Sequence, residues 1–212
     1  EDGIRDYKVT GVQTCALPIS MGPAALLLAI SLVAPSALAI EEPSYQVIES
    51  DDVFQIRAYE DTVVATTHIK SDFKDAGNQA FRRLGGYIFG DNAQDQKIAM
   101  TAPVTQSGNP DDGYWVSFFM PAEHALEALP TPSNGTVEIR ALEGQTFAAV
   151  RYRGGWREKL YQKHLDRLMT ALAESENWKP AGEPIWARYN PPITPSFLRT
   201  NEILIPVERL GS

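Results

Sequence analysis

Few side chains in this sequence could carry chemistry. Its imidazoles are His68, His124 and His164, and an imidazole can shuttle a proton or bind a metal. Glu60 and Glu143 occupy matching places in two similar segments. They could form a carboxylate pair for acid–base hydrolysis, although solvation at a strand end accounts for them better. The sequence contains no Gly-x-Ser-x-Gly, His-Glu-x-x-His, phosphate loop or dinucleotide fingerprint. A different chemistry is suggested by residues 97–104, KIAMTAPV. This stretch reads as a strand, yet it includes Pro103, which cannot donate to a sheet ladder. The soft thioether of Met100 adapts to flat rings, so the stretch is a candidate wall for a planar apolar ligand.

Composition sets the frame for these residues. Residues 1–20 show no helical or strand period, resemble sequencing-adaptor read-through, and are excluded from the fold reading together with the single cysteine, Cys15. Without it there is no disulfide framework and no thiolate metal site. From Met21 an apolar run over 24–34 is followed by Pro35 and Ala37-Leu38-Ala39. This pattern predicts a signal peptide cut after Ala39, which would place 40–212 in a periplasmic or secreted setting. The alternative is a membrane anchor, but the run is barely long enough to span and prolines flank it. Residues 40–212 suit a single domain with a substantial core, expected to be a monomer with no stable membrane insertion. A net charge of −8 without a basic stripe argues against a nucleic-acid partner.

Two parts of the chain repeat each other. At an offset of 83, Ile56, Arg57, Ala58, Glu60 and Ala65 of 54–71 meet Ile139, Arg140, Ala141, Glu143 and Ala148 of 137–154. A helix-period stripe follows each copy. The first comprises Phe73, Ala76, Ala80, Phe81, Leu84, Tyr87 and Ile88, with Ser71 as the expected cap and Gly90 as the stop. The second runs from Trp156 to Leu172. Each helix then leads into strand-like segments: 97–104 and 114–121 in the first half, 184–192 and 201–207 in the second. The repeats, about 45–121 and 135–207, are joined by LPTPSNG at 129–135. Neither unit can seal a core alone. The expected fold class is therefore α+β: two pseudo-symmetric repeats forming a curved antiparallel sheet, a distorted barrel, with two packed helices. A cleft between helix and sheet would suit a small molecule.

Three ordered motifs, FRRLGGYIFGDN (81–92), KIAMTAPV (97–104) and ARYNPPITPSFLRTNEILIPV (187–207), resemble those of the SOUL haem-binding protein family. The resemblance spans about 45–207. It departs from the pattern at Ile193, where an aromatic residue is usual, and at Thr200, where a basic one is. What the resemblance implies is a fold akin to the effector-binding domains of multidrug-responsive regulators, and reversible, non-covalent binding of haem or another tetrapyrrole. Such a ligand needs flat apolar walls, cations for its propionates and an optional axial iron ligand. Phe73, Phe81, Leu84, Tyr87 and Met100 could supply walls, and Phe197 of the last motif joins them; a stripe at helical spacing describes plain core as well. Lys97 and Arg188 are the cations inside the motifs. His164 lies on the stripe of the second helix, opposite Phe81 at offset 83, and is the candidate iron ligand, a core histidine being the alternative. The role expected is carrier, scavenger or buffer and not enzyme. A module for another planar hydrophobic ligand, or a small hydrolase using a cleft carboxylate, are the other readings.

Overall fold

The computed structural model describes residues 40–211; the read-through and signal-peptide segments expected over 1–39 lie outside the described residues. In chain order the elements are β1 (Tyr45–Ser50), β2 (Gln55–Tyr59), β3 (Thr62–Ile69), α1 (Phe73–Ile88), β4 (Val104–Asn109), β5 (Gly113–Phe119), β6 (Val137–Leu142), β7 (Thr146–Arg153), α2 (Glu158–Ala173), β8 (Trp178–Pro180), β9 (Ile185–Arg188) and β10 (Thr200–Arg209). They form one curled antiparallel sheet in the order β1-β2-β7-β10-β9-β4-β5-β3-β6, with β8 added beside β10.

That order is palindromic. From β2 inward it reads β2-β7-β10-β9, and from β6 inward it reads β6-β3-β5-β4, the matching strands of the other repeat. The strand-strand-helix-strand-strand unit therefore occurs twice about a pseudo-twofold axis between β4 and β9, as expected, with β1 and β8 as additions. Each half also lends its first strand to the other: β2 pairs with β7, and β6 with β3.

Strand alternation divides the residues between two faces. The cross-strand row Ile203, Trp186, Gln106, Val116, Thr67 and Val137 runs along one face. Both helices pack there: α1 over β3 and β5, α2 over β7, β8 and β10. Leu84, Tyr87 and Ile88 of α1 meet Ala65, Val116 and Phe118, while Leu168 and Leu172 of α2 meet Val150, Ile203 and Ile205. The opposite face carries Val64, Thr66, Trp115 and Ser117 and is left uncovered by helix.

Two local expectations change. The cap of α1 is Asp72, whose side chain accepts from the Asp75 N–H at 2.8 Å; Ser71 lies one residue too early and donates to the Asp72 carbonyl instead. In 97–104 only Val104 belongs to a strand. The residues before it are extended, with Ile98 bonded to the end of α1 and Thr101 bridging Glu41. The Ala102–Pro103 bond is cis, and the ladder starts after the proline, which has no N–H to give it. The stop of α1 is as expected: Gly90, at φ +116°, follows the helix.

Candidate functional site on the helix face

The helices leave β4 and β9 between them, and side chains cover those strands. Phe73 stacks on Trp186 with ring centroids 4.6 Å apart and on Tyr161 at 5.5 Å. Phe73, Leu84 and Tyr87 are core residues, at 9%, 0% and 1% exposure. The space expected between helix and sheet is thus filled at these three positions by the chain itself, because small Ala76 and Ala80 let α1 sit close to the sheet. The hydroxyl of Tyr87 donates to the Pro130 carbonyl at 3.0 Å, tying α1 to the linker between repeats.

The other residues expected at the site lie at the surface. Phe81 and Met100 each keep 38% exposure, Phe197 keeps 71%, and Lys97 is exposed. Phe73, Gly77, Phe81, Gly85 and Phe89 follow one another at four-residue steps, the spacing of a single helix row. A Cβ on Gly85 would meet the Phe89 ring at 3.7 Å and the Phe81 ring at 3.8 Å, so both rings lie against the Gly85 backbone, which is itself buried. Phe89 was not singled out in the sequence because it falls beyond the inward stripe; continuing the row by four residues would have found it.

At Gly77 the missing side chain makes room for Arg188, since a Cβ would come within 2.9 Å of its Nη2. The Arg188 guanidinium lies 4.1 Å from the Trp186 ring centroid and 5.5 Å from that of Trp156, and Arg199 also stacks on Trp156 at 4.2 Å. Nη2 donates to Gln106 Oε1, and Gln106 donates in turn to the Phe73 carbonyl at 3.0 Å. Among the described residues no carboxylate pairs with Arg188. Burial therefore pushes its pKa down to about 10, with only the Tyr152 hydroxyl opposing.

His164 is half-buried and lies nearly parallel to the Tyr152 ring, 4.1 Å away. Its pKa is lowered by burial and by Lys163 and Arg167. The buried faces of the helices match at an offset of 84, Leu84 with Leu168 and Ile88 with Leu172, which sets His164 against Ala80 and not Phe81. The cause is one extra residue between strand and helix in the second repeat. His68 leans on Trp115 on the other face, and His124 sits beside Glu123. Among the described residues no cluster of metal-binding side chains occurs.

On the open face a hollow of about 740 Å³, within the usual range for ligand pockets, is walled by Tyr59, Trp115, Phe119, Phe147 and Ile185 and floored by hydroxyls of Thr66, Thr105 and Ser117. Glu60 and Glu143 both reach its rim. Arg140 lies over Trp115 and pairs with Glu138. Beyond the hollow, Glu202 is fully buried. It accepts from Arg57 Nη1 and Nη2 at 3.0 and 3.1 Å, from Arg151 Nε at 2.6 Å and from the Tyr189 hydroxyl at 2.6 Å. Sequence reading did not single out this cluster, although Arg57 belongs to the repeat and Tyr189 and Glu202 to the last motif.

Comparison with known proteins accords with this architecture. Residues 40–206 match the family model described as SOUL heme-binding protein. Heme-binding protein 2 of Homo sapiens is 30% identical over 79% of this chain and 86% of its own length. Heme-binding protein 1 of Xenopus tropicalis is 26% identical over 73% and 84%. Among solved structures, the EcmrR C-terminal domain superimposes with a TM-score of 0.59 at 12% identity, covering 78% of this chain and 99% of that domain. A hydrolase from Listeria innocua gives 0.52 at 8% identity, covering 76% and 94%; at these identities the likeness is one of fold alone. With motifs, repeat architecture and a match across nearly all the described residues in agreement, this chain belongs to the SOUL heme-binding protein family.

Proposed function

We propose that this protein binds haem or another tetrapyrrole, reversibly and non-covalently, on the helix face, as a monomeric carrier, scavenger or buffer in an exported compartment. The observation that carries the site is the row on α1, where Phe81 and Phe89 stand exposed on either side of Gly85. The outer sides of the two rings offer an apolar surface, and a macrocycle laid on it removes both from water. Met100, Lys97 and Phe197 are exposed and available to it, and Arg188 is a cation without an anion. The family and the names of its heme-binding relatives supply the ligand class. Haemin titration of residues 40–212 should give a saturable one-to-one Soret shift, weakened at least tenfold by Phe81→Ala with Phe89→Ala. No shift at tens of micromolar haemin overturns the reading. If His164 ligates the iron, His164→Ala abolishes the low-spin spectrum and leaves the fold intact.

A second reading has its own observation. Glu60 and Glu143 at the mouth of the open-face hollow make it a poor seat for a propionate-bearing ring, but its aromatic walls suit a neutral planar molecule. A neutral planar dye that binds without displacing haemin, and is lost in Trp115→Ala, would establish it.

A further inference from the structure

The loop from β9 to β10, residues 189–199, is firmly fastened. Its base is closed twice: the Tyr189 N–H donates to the Thr200 carbonyl at 3.2 Å, and the Thr200 N–H to Asn190 Oδ1 at 2.6 Å. Within it the Thr194 N–H bonds to the Pro191 carbonyl and the Leu198 N–H to the Pro195 carbonyl, two short turns begun by prolines. Arg199 clasps the loop from below. Its Nε donates to the Thr194 carbonyl at 2.8 Å and its Nη2 to the Pro192 carbonyl at 2.5 Å, while the guanidinium stacks on Trp156. This rigid frame holds apolar side chains out in water. Ile193, Phe197 and Leu198 are 90%, 71% and 47% exposed, the first two being the most exposed large apolar side chains among the described residues. None of the three packs into a core cluster. Single exposed apolar residues are ordinary, but three on one rigid tip form a patch.

Charge around the tip is the second observation. The chain carries −8 overall, yet residues 151–167 hold Arg151, Arg153, Arg157, Lys159, Lys163 and Arg167 against only Glu158 and Asp166. The start of that basic stretch touches the loop. The Gly154 N–H donates to the Arg199 carbonyl at 3.1 Å, a Cβ on Gly155 would lie 3.5 Å from the Cβ of Ser196, and Arg153 stands opposite Thr200 across β7 and β10. Arg153, Arg157 and Lys159 are exposed, and among the described residues no carboxylate pairs with any of them. An apolar tip with unneutralised cations behind it complements a bilayer surface, which offers hydrocarbon to the one and anionic headgroups to the others. We propose that the tip 191–198 enters the surface of an anionic phospholipid bilayer, with Arg153, Arg157 and Lys159 against the headgroups. The docking is peripheral and reversible and needs no spanning segment. It goes beyond the tetrapyrrole reading and does not rest on it.

The test is flotation of residues 40–212, which contain every core cluster described above, so that the apolar run over 24–34 adds no lipid affinity of its own. Vesicles of phosphatidylglycerol and phosphatidylcholine in equal parts are compared with phosphatidylcholine alone. Half of the protein should float with the mixed vesicles at about 0.1–1 mM lipid. Ile193→Ser combined with Phe197→Ser should weaken this at least tenfold and leave the melting temperature unchanged, since both side chains lie outside the core. Arg153→Glu with Arg157→Glu, or high salt, should weaken it as well. In Ile193→Trp the added emission should shift to the blue on vesicles, which reports entry of the tip and not adsorption elsewhere. No flotation with the mixed vesicles, equal flotation with phosphatidylcholine alone, or flotation that survives the serine pair overturns the proposal. Self-association without lipid that the serine pair abolishes overturns it in favour of a second copy. Haemin affinity that falls in step with vesicle binding in the serine pair returns the tip to the ligand seat and overturns it too. The readings fail separately: flotation without a haemin Soret shift sustains the tip and removes the tetrapyrrole.

Discussion

Arg57 and Glu202, 145 residues apart in the chain, meet through two parallel hydrogen bonds of 3.0 and 3.1 Å in the interior of the sheet. The pair joins β2 of the first repeat to β10 of the second across β7, and both side chains are almost fully enclosed. Removing Arg57 leaves the enclosed Glu202 charge with only the half-exposed Arg151 as its cation. Arg57→Met is expected to destabilise the fold by about 3–5 kcal/mol, measured by urea denaturation. Its repeat counterpart Arg140, exposed beside Glu138, should lose under about 1 kcal/mol in Arg140→Met. Equal losses at the two sites would show that enclosure is not the deciding term.

Acid should act through the same carboxyl. Burial pushes the pKa of Glu202 up, but the hydrogen bonds and charge of Arg57, with Tyr189 and Arg151, outweigh it and leave the folded value below the ordinary 4.5. A carboxyl held low when folded contributes stability that is complete above its unfolded pKa. That contribution is lost as pH falls through the folded value. The melting temperature should thus fall as pH drops below about 4.5, and Glu202→Gln, less stable at neutral pH, should approach the parent at the acid end. A gap between the two that stays constant down to pH 2 would contradict this.

Gly85→Ala should separate stability from binding. Its added methyl would meet the Phe81 and Phe89 rings at ordinary contact distance, 3.7–3.8 Å. Inside a helix, Ala is favoured over Gly by about 1 kcal/mol. The expected result is a melting temperature raised by a few degrees together with weaker haemin binding, because the methyl displaces the two rings that now rest on the backbone. Tighter haemin binding would place the ligand elsewhere.

Gly77→Ala should be costly in both respects. The new Cβ would collide with the Arg188 guanidinium, which is enclosed by Trp186, Trp156 and Gln106 and has little room to retreat. Overpacking of this kind costs about 1–3 kcal/mol. Thermal denaturation and haemin titration should both report the displacement.

These outcomes also mark how far the sequence can be read. The repeat was legible because Ile56 and Ile139, or Ala65 and Ala148, keep the same places in equivalent strands, and alternation fixes which face each occupies. The helix stripes were legible for the same reason. Periodicity identifies an inward face but does not say whether that face meets sheet or ligand. Phe73, Leu84 and Tyr87 therefore entered the candidate site alongside Phe81, although they belong to the core. Long-range pairing has no local signature at all: nothing near Glu202 announces Arg57. His164 was misplaced against Phe81 by the single residue added before α2.

The exchange of first strands between the halves has a consequence for how such a chain can be divided or built. A lone half would present β3 or β7 with a bare edge where its sister's strand belongs, and unpaired edges seek a partner. Two copies of one half could satisfy each other only by trading arms around a true dyad. The duplicated gene product then looks like a symmetric dimer whose subunits were tied end to end. Cut within 129–135, the protein should come apart into fragments that fold only on meeting.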